Sequence, residues 1–86
     1  MYKIKYSSRA VKQIPNLKSC SLDKKAMRLI SIIKENPYQT PPTYEKLCGD
    51  LKGIYSRRIN IKHRLLYSVD ENTKTIYILS MWTHYE

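Results

Sequence analysis

The fold of this chain is decided by residues 54–83, IYSRRINIKHRLLYSVDENTKTIYILSMWT. Apolar and polar side chains alternate through Ile54–Ile61, Arg64–Asp70 and Thr75–Thr83, which is the period of half-buried strands. Asp70-Glu71-Asn72-Thr73 supplies turn chemistry between the last two, so they read as a hairpin. Upstream, Tyr44–Cys48 carries the same period, and a Gly49-Asp50 turn and Gly53 follow it. Thr40-Pro41-Pro42-Thr43 marks an extended loop, and Asn36-Pro37 stops the element before it.

That element is a helix. Leu22, Ala26, Leu29, Ile30 and Ile33 form one apolar stripe opposite Lys24, Lys25, Arg28 and Lys34, and Ser21 is the expected N-cap. An earlier helix begins at Ser7 or Ser8, with Ala10, Ile14 and Leu17 at helical spacing. Pro15 lies inside it; an interior proline costs about 3 kcal/mol, which predicts a kink or an early end. Tyr2–Tyr6 alternates apolar and basic residues, a strand with Tyr2, Ile4 and Tyr6 turned inward. The order is strand, two helices, then three or four antiparallel strands. This predicts an α+β fold with the helices on one face of the sheet. The 86 residues form one domain, 1–86.

Charge narrows the function. Lys and Arg number 16 against 7 acidic residues, a net +9. The excess sits mainly in residues 1–34, where Asp23 is the one acidic residue. A small domain this basic meets a polyanion, either nucleic acid or an acidic protein. Cys20 and Cys48 have neither paired spacing nor a nearby histidine, so no metal or disulfide staple is expected. The longest apolar stretches are too short to span a membrane, and no secretory leader pattern is visible. We therefore expect a cytoplasmic, soluble protein without a cofactor.

Several residues can carry chemistry. Arg57 and Arg58 are adjacent on a strand and so point to opposite faces. Leu65, Tyr67 and Val69 form the core face of the next strand, which places Arg64 on the other. Arginine forks hold phosphate in a bidentate way and keep their charge in any environment. Eight tyrosines and no phenylalanine suit stacking on bases, with a hydroxyl left to reach phosphate or ribose. Most of those tyrosines read as core or rim; Tyr85, beside His84, lies outside the regular pattern.

Five runs together resemble a known family: Pro37-Tyr38-Gln39-Thr40-Pro41-Pro42, Tyr44-Glu45-Lys46-Leu47, Leu51 to Ile59, His63-Arg64-Leu65-Leu66-Tyr67 and Trp82-Thr83-His84-Tyr85. In order and type they resemble the YoeB/Txe toxins, a branch of the RelE superfamily of toxin–antitoxin ribonucleases. The resemblance implies a small microbial-RNase-like fold, a twisted antiparallel sheet with two N-terminal helices. It implies an endoribonuclease that cuts mRNA in the ribosomal A site and is silenced by a YefM/Axe-type antitoxin. A homodimer or a toxin–antitoxin heterocomplex is the expected assembly. The family's catalytic positions fall on Glu45, Arg64, His84 and Tyr85, and a second sheet arginine on Arg58. Arg57, Lys46 and Lys52 are the further expected phosphate or RNA contacts. Two departures stand out: Glu86 follows the His-Tyr pair, and Thr83 stands where some members carry tyrosine.

The chemistry needs no metal, because RNA can attack its own backbone through the 2′-hydroxyl. The protein then supplies a base (Glu45), an acid (His84) and charge stabilisation from Arg64 and Arg58. Tyr85 would orient the phosphate or the base. The alternative is a non-catalytic RNA- or ribosome-binding module, for which basic charge and tyrosines suffice.

Overall fold

A computed structural model describes residues 1–82 of the chain. Thr83, His84, Tyr85 and Glu86 lie outside the described residues. Strand β1 (Lys3–Tyr6) is followed by helices α1 (Ser8–Ser19) and α2 (Asp23–Glu35). Strands β2 (Glu45–Lys46), β3 (Ile54–Arg58), β4 (Arg64–Asp70) and β5 (Thr75–Ser80) complete a five-stranded sheet in the order β1-β5-β4-β3-β2.

The α+β class and the two helices on one sheet face are as the alternation predicts. One pairing differs. β1 joins β5 in parallel, with Ile4 opposite Ile76, while the other three pairings are antiparallel. The sheet is therefore mixed. Alternation reveals which face a residue takes but not the direction of its neighbour, and a parallel pair needs only a long crossover. The chain between β1 and β5 provides one. Tyr2 and Ile4 are half-buried against the core, but Tyr6 sits at its rim, 39% exposed.

Ser7 caps α1, its Oγ accepting from the Ala10 N–H at 3.0 Å and donating to the Leu79 carbonyl at 2.9 Å. The helix does not end at Pro15 but runs on to Ser19. Proline removes the bond to the Val11 carbonyl four residues back. Val11 is 51% exposed, so water can reach that side of the helix. Ala10 and Leu17 hold the inner face in the core, and Gln13 Oε1 accepts from the Met81 N–H at 2.7 Å.

Ser21 is not the cap of α2. It takes φ +59° and closes α1 instead, with bonds from Ser21 N to Lys18 O and from Leu22 N to Leu17 O. This is a Schellman pattern with serine in the position glycine usually fills. Leu22 then stands at the N-cap because its side chain is needed in the core, at 9% exposure. The stripe of Leu22, Ala26, Leu29, Ile30 and Ile33 is buried throughout. It packs on Leu65, Tyr67, Ile76 and Ile78 of the sheet. Leu65 is fully buried, and Leu65→Ala should cost about 2–5 kcal/mol by lost transfer energy and a residual cavity. A urea melt would read this as a lower midpoint at unchanged slope.

Strand β3 ends three residues earlier than the alternation suggests. The Asn60 carboxamide accepts from Lys62 N and His63 N, and Ile59 N donates to His63 O. These bonds turn the chain into a loop before it re-enters as β4. β2 is likewise cut to two residues at the sheet edge, and β5 stops at Ser80.

At the far end, the carboxylate of Glu71 ties three segments together. Tyr2 Oη donates to it at 2.9 Å, Lys74 Nζ donates at 2.9 Å, and Tyr38 Oη is a third donor. Hydrogen bonds from Tyr38, Lys74 and Tyr2 hold the Glu71 carboxyl down at about 2. Burial, and then Glu71 itself, push Tyr38 up. Because the Glu71 pKa is depressed on folding, its contribution is full above the ordinary carboxylate range. It is lost as pH falls toward about 2. The melting temperature of Glu71→Gln should therefore lie below that of the parent at neutral pH and converge with it near pH 2. A gap that persists at acid pH would contradict this.

Candidate functional site

The two faces of the sheet differ. On the helix-covered face lie Tyr55, Arg57, Leu65 and Tyr67; on the open face, Glu45, Ser56, Arg58 and Arg64. Register makes this assignment, since residues directly opposite in antiparallel strands share a face. Glu45 is opposite Ser56, and Arg58 is opposite Arg64.

Two like charges directly across a strand pair destabilise it. Here a carboxylate offsets part of that cost, with Arg64 Nη1 donating to Glu45 Oε1 at 3.1 Å. Glu45 is the more exposed partner, at 59% against 22% for Arg64. Together with Thr43, Tyr44 and Ser56 these residues surround a cavity of about 210 Å³. Its lining is mostly polar and carries two cations and one anion, which suits a phosphodiester and not an apolar ligand.

Ser56 lies in the floor of this cavity, 1% exposed, and its Oγ has no hydrogen-bond partner among the described residues. A buried hydroxyl without a partner costs free energy, so a group that reaches it is held in place. The sequence reading passed over Ser56. The signal was its position two residues before Arg58, on the same face.

Arg57 requires a correction. It is not a phosphate contact: it is 1% exposed on the helix-covered side. Nε donates to Tyr67 Oη at 3.0 Å, Nη1 to the Pro42 carbonyl at 2.7 Å, and Nη2 to Pro37 and Gln39 carbonyls at 3.0 and 2.9 Å. The Tyr44 ring lies 4.9 Å from its guanidinium carbon. Four of the five donors of an arginine are thus spent inside the protein. Their effect is to fix the 37–42 loop, which delivers Thr43, Tyr44 and Glu45 to the open face.

Lys46 is exposed but turns away from Glu45, being opposite Tyr55 across the β2–β3 ladder. With Lys52 it lines a separate groove at the sheet edge, beside Leu47 and Gly53. The fold therefore brings Glu45, Arg58 and Arg64 together and leaves Lys46 and Lys52 to one side. His84 and Tyr85 lie outside the described residues. Just before them, the Trp82 carbonyl accepts from His63 Nδ1, and the two rings stack 4.0 Å apart. A carbonyl can only accept, which assigns the proton to Nδ1. His63 precedes Arg64, so this contact pins Trp82 beside the cavity's strand.

A two-helix α+β domain with this mixed sheet is the fold of solved bacterial toxins. A YoeB/ParE toxin from Agrobacterium tumefaciens superposes with a TM-score of 0.87 at 25% identity, covering 96% of this chain and 99% of its own. YoeB in its heterotetrameric complex with YefM from Staphylococcus aureus gives 0.81 at 35% identity, covering 99% of each chain. YafQ from E. coli, at 20% identity, shares the fold. In sequence, Toxin YoeB of Synechocystis sp. is 35% identical over 68 residues, 74% of this chain and 77% of that protein. The family profile of the YoeB-like toxins of bacterial type II toxin–antitoxin systems matches residues 16–85. The chain belongs to that family.

Proposed function

We propose that this toxin is a ribosome-dependent endoribonuclease that cleaves mRNA in the A site and thereby inhibits translation. The observation that carries the reading is the meeting of Glu45, Arg58 and Arg64 around one polar cavity on the open sheet face. Glu45 takes the proton of the substrate 2′-hydroxyl, whose oxygen then attacks the adjacent phosphorus. Arg58 and Arg64 stabilise the charge that grows on the phosphoryl oxygens. The bond from phosphorus to the 5′-oxygen breaks, and His84 donates a proton to that oxygen. Tyr85 orients the phosphate or the base. The products are a 2′,3′-cyclic phosphate and a 5′-hydroxyl, formed by metal-independent acid–base catalysis.

In this reading the salt bridge of Glu45 with Arg64 has two roles. It orients the base, and it must loosen as the phosphate takes Arg64. The partners are the ribosome carrying A-site mRNA and a cognate YefM/Axe-type antitoxin, met in the cytoplasm. The acidic antitoxin segment covers the face bearing Arg58 and Arg64, and a homodimer or a toxin–antitoxin heterocomplex is the assembled state. The YoeB–YefM complex and the YoeB dimer of S. aureus support these two assemblies by likeness. Among the described residues no helix is long and apolar enough to cross a membrane.

Growth on induction tests the proposal. The parent chain should arrest growth, His84→Ala and Arg64→Ala should not, and co-expression of the adjacent open reading frame should relieve the arrest. Equal harm from parent and both variants would favour a non-catalytic binder instead.

A further inference from the structure

A second groove opens on the other side of Arg58. Arg58 lines the polar cavity and also lines this groove, which runs between α2 and the end of β3. The space within it that a small ligand can occupy is about 320 Å³, at the lower end of the range for such sites, about 300–1,000 Å³. From α2 it receives Lys25, Arg28, Leu29 and Ile32, spaced one helical stripe apart. Its floor is apolar, made by Leu29 and Ile32 with Pro42 and Ile59 opposite. Its rim is cationic, made by Lys25, Arg28 and Arg58, and no acidic residue lines it. Lys25 and Arg28 are exposed, and neither forms an ion pair among the described residues.

An apolar floor under a cationic rim that is continuous through Arg58 with the polar cavity suits a nucleotide, with its base on the floor and its phosphate at the rim. A purely solvated lysine stripe would have no floor. We propose that this groove is a subsite for the single-stranded RNA nucleotide that flanks the scissile phosphate. The strand passes over Arg58 from one site to the other. The inference rests on the ribonuclease reading of the first cavity. The Pro42 wall also links it to the core, because Arg57 holds the Pro42 carbonyl at 2.7 Å.

The test is binding of non-cleavable 2′-O-methyl oligonucleotides, two and five nucleotides long, to the purified toxin with its melting temperature checked. In the parent, the pentanucleotide should bind more tightly than the dinucleotide. The double variant Lys25→Glu with Arg28→Glu should weaken the pentanucleotide by about tenfold or more at low salt, whatever its sequence. It should lower the salt slope by about 1.4, the value for two lost phosphate contacts on a single strand. Dinucleotide binding should hardly change, and Lys25→Arg with Arg28→Lys should restore the pentanucleotide. No gain with length in the parent overturns the subsite, as does equal weakening at both lengths. So does a defect seen only on programmed ribosomes or only with an acidic peptide. A parent protein that fails to cut ribosome-bound mRNA overturns the ribonuclease reading itself, in a separate assay.

Discussion

Replacing Arg57 with alanine should destabilise the domain by about 3–5 kcal/mol, the largest effect of any basic residue. The guanidinium donates to Tyr67 and to the carbonyls of Pro37, Pro42 and Gln39. Tyr67 Oη still donates to the Pro37 carbonyl at 2.7 Å, so the Pro42 and Gln39 carbonyls are the ones that lose this donor, at about 1–3 kcal/mol each, and the lost packing of the side chain adds to that. For a chain of this length the whole stability is about 4–13 kcal/mol, so this loss is a large share of it. Arg57→Lys should also cost most of this amount. An ammonium carries the charge but cannot fork to four acceptors spread along a loop. Arg58→Ala, one residue away, is expected within about 0.5 kcal/mol of the parent, because Arg58 is exposed. Urea melts of the three variants check this, and a stable Arg57→Ala would contradict the clamp.

Arg64→Ala should act the other way round. Its guanidinium faces the cavity and stands 3.1 Å from a Glu45 that is 59% exposed, so the ion pair itself adds little stability. Removing a preorganised charge from a developing oxyanion typically lowers turnover by about 10²–10³. We expect that loss in cleavage of ribosome-bound mRNA, with a melting temperature within a few degrees of the parent. A variant that unfolds would make Arg64 structural and remove it from the proposed machinery.

The contrast between Arg57 and Arg64 shows where sequence reading runs out. Alternation placed Arg64 away from Leu65 and Tyr67, and the register agrees. The same alternation put Arg57 and Arg58 on opposite faces without showing which one meets the core, and charge alone argued for solvent at both. What decides in favour of burial is the loop of Pro37, Gln39 and Pro42, whose carbonyls converge on one point. Such convergence between distant segments leaves no local pattern. The parallel pairing of β1 with β5 and the left-handed Ser21 were hidden for the same reason. Each is fixed by packing between elements, whereas alternation and helical stripes report only on the element that carries them. Strand β4, the hairpin after it and the buried stripe of α2 were legible because their signals are local.

Of the candidate site, Arg58 and Arg64 were singled out by charge and strand alternation and Glu45 through the family resemblance, and the fold brings the three around one cavity. Ser56 was missed because serine at a strand centre reads as an ordinary polar position. Its burial without a partner among the described residues marks it in the structure.

The most direct measurement is cleavage of mRNA on programmed ribosomes, with 2′-deoxyribose at the nucleotide 5′ to the cut. The account predicts that the ribose substrate is cut, leaving a 2′,3′-cyclic phosphate and a 5′-hydroxyl, and that the 2′-deoxy substrate is not. Cleavage of the 2′-deoxy substrate at an undiminished rate would contradict it, since the attacking oxygen would then come from elsewhere.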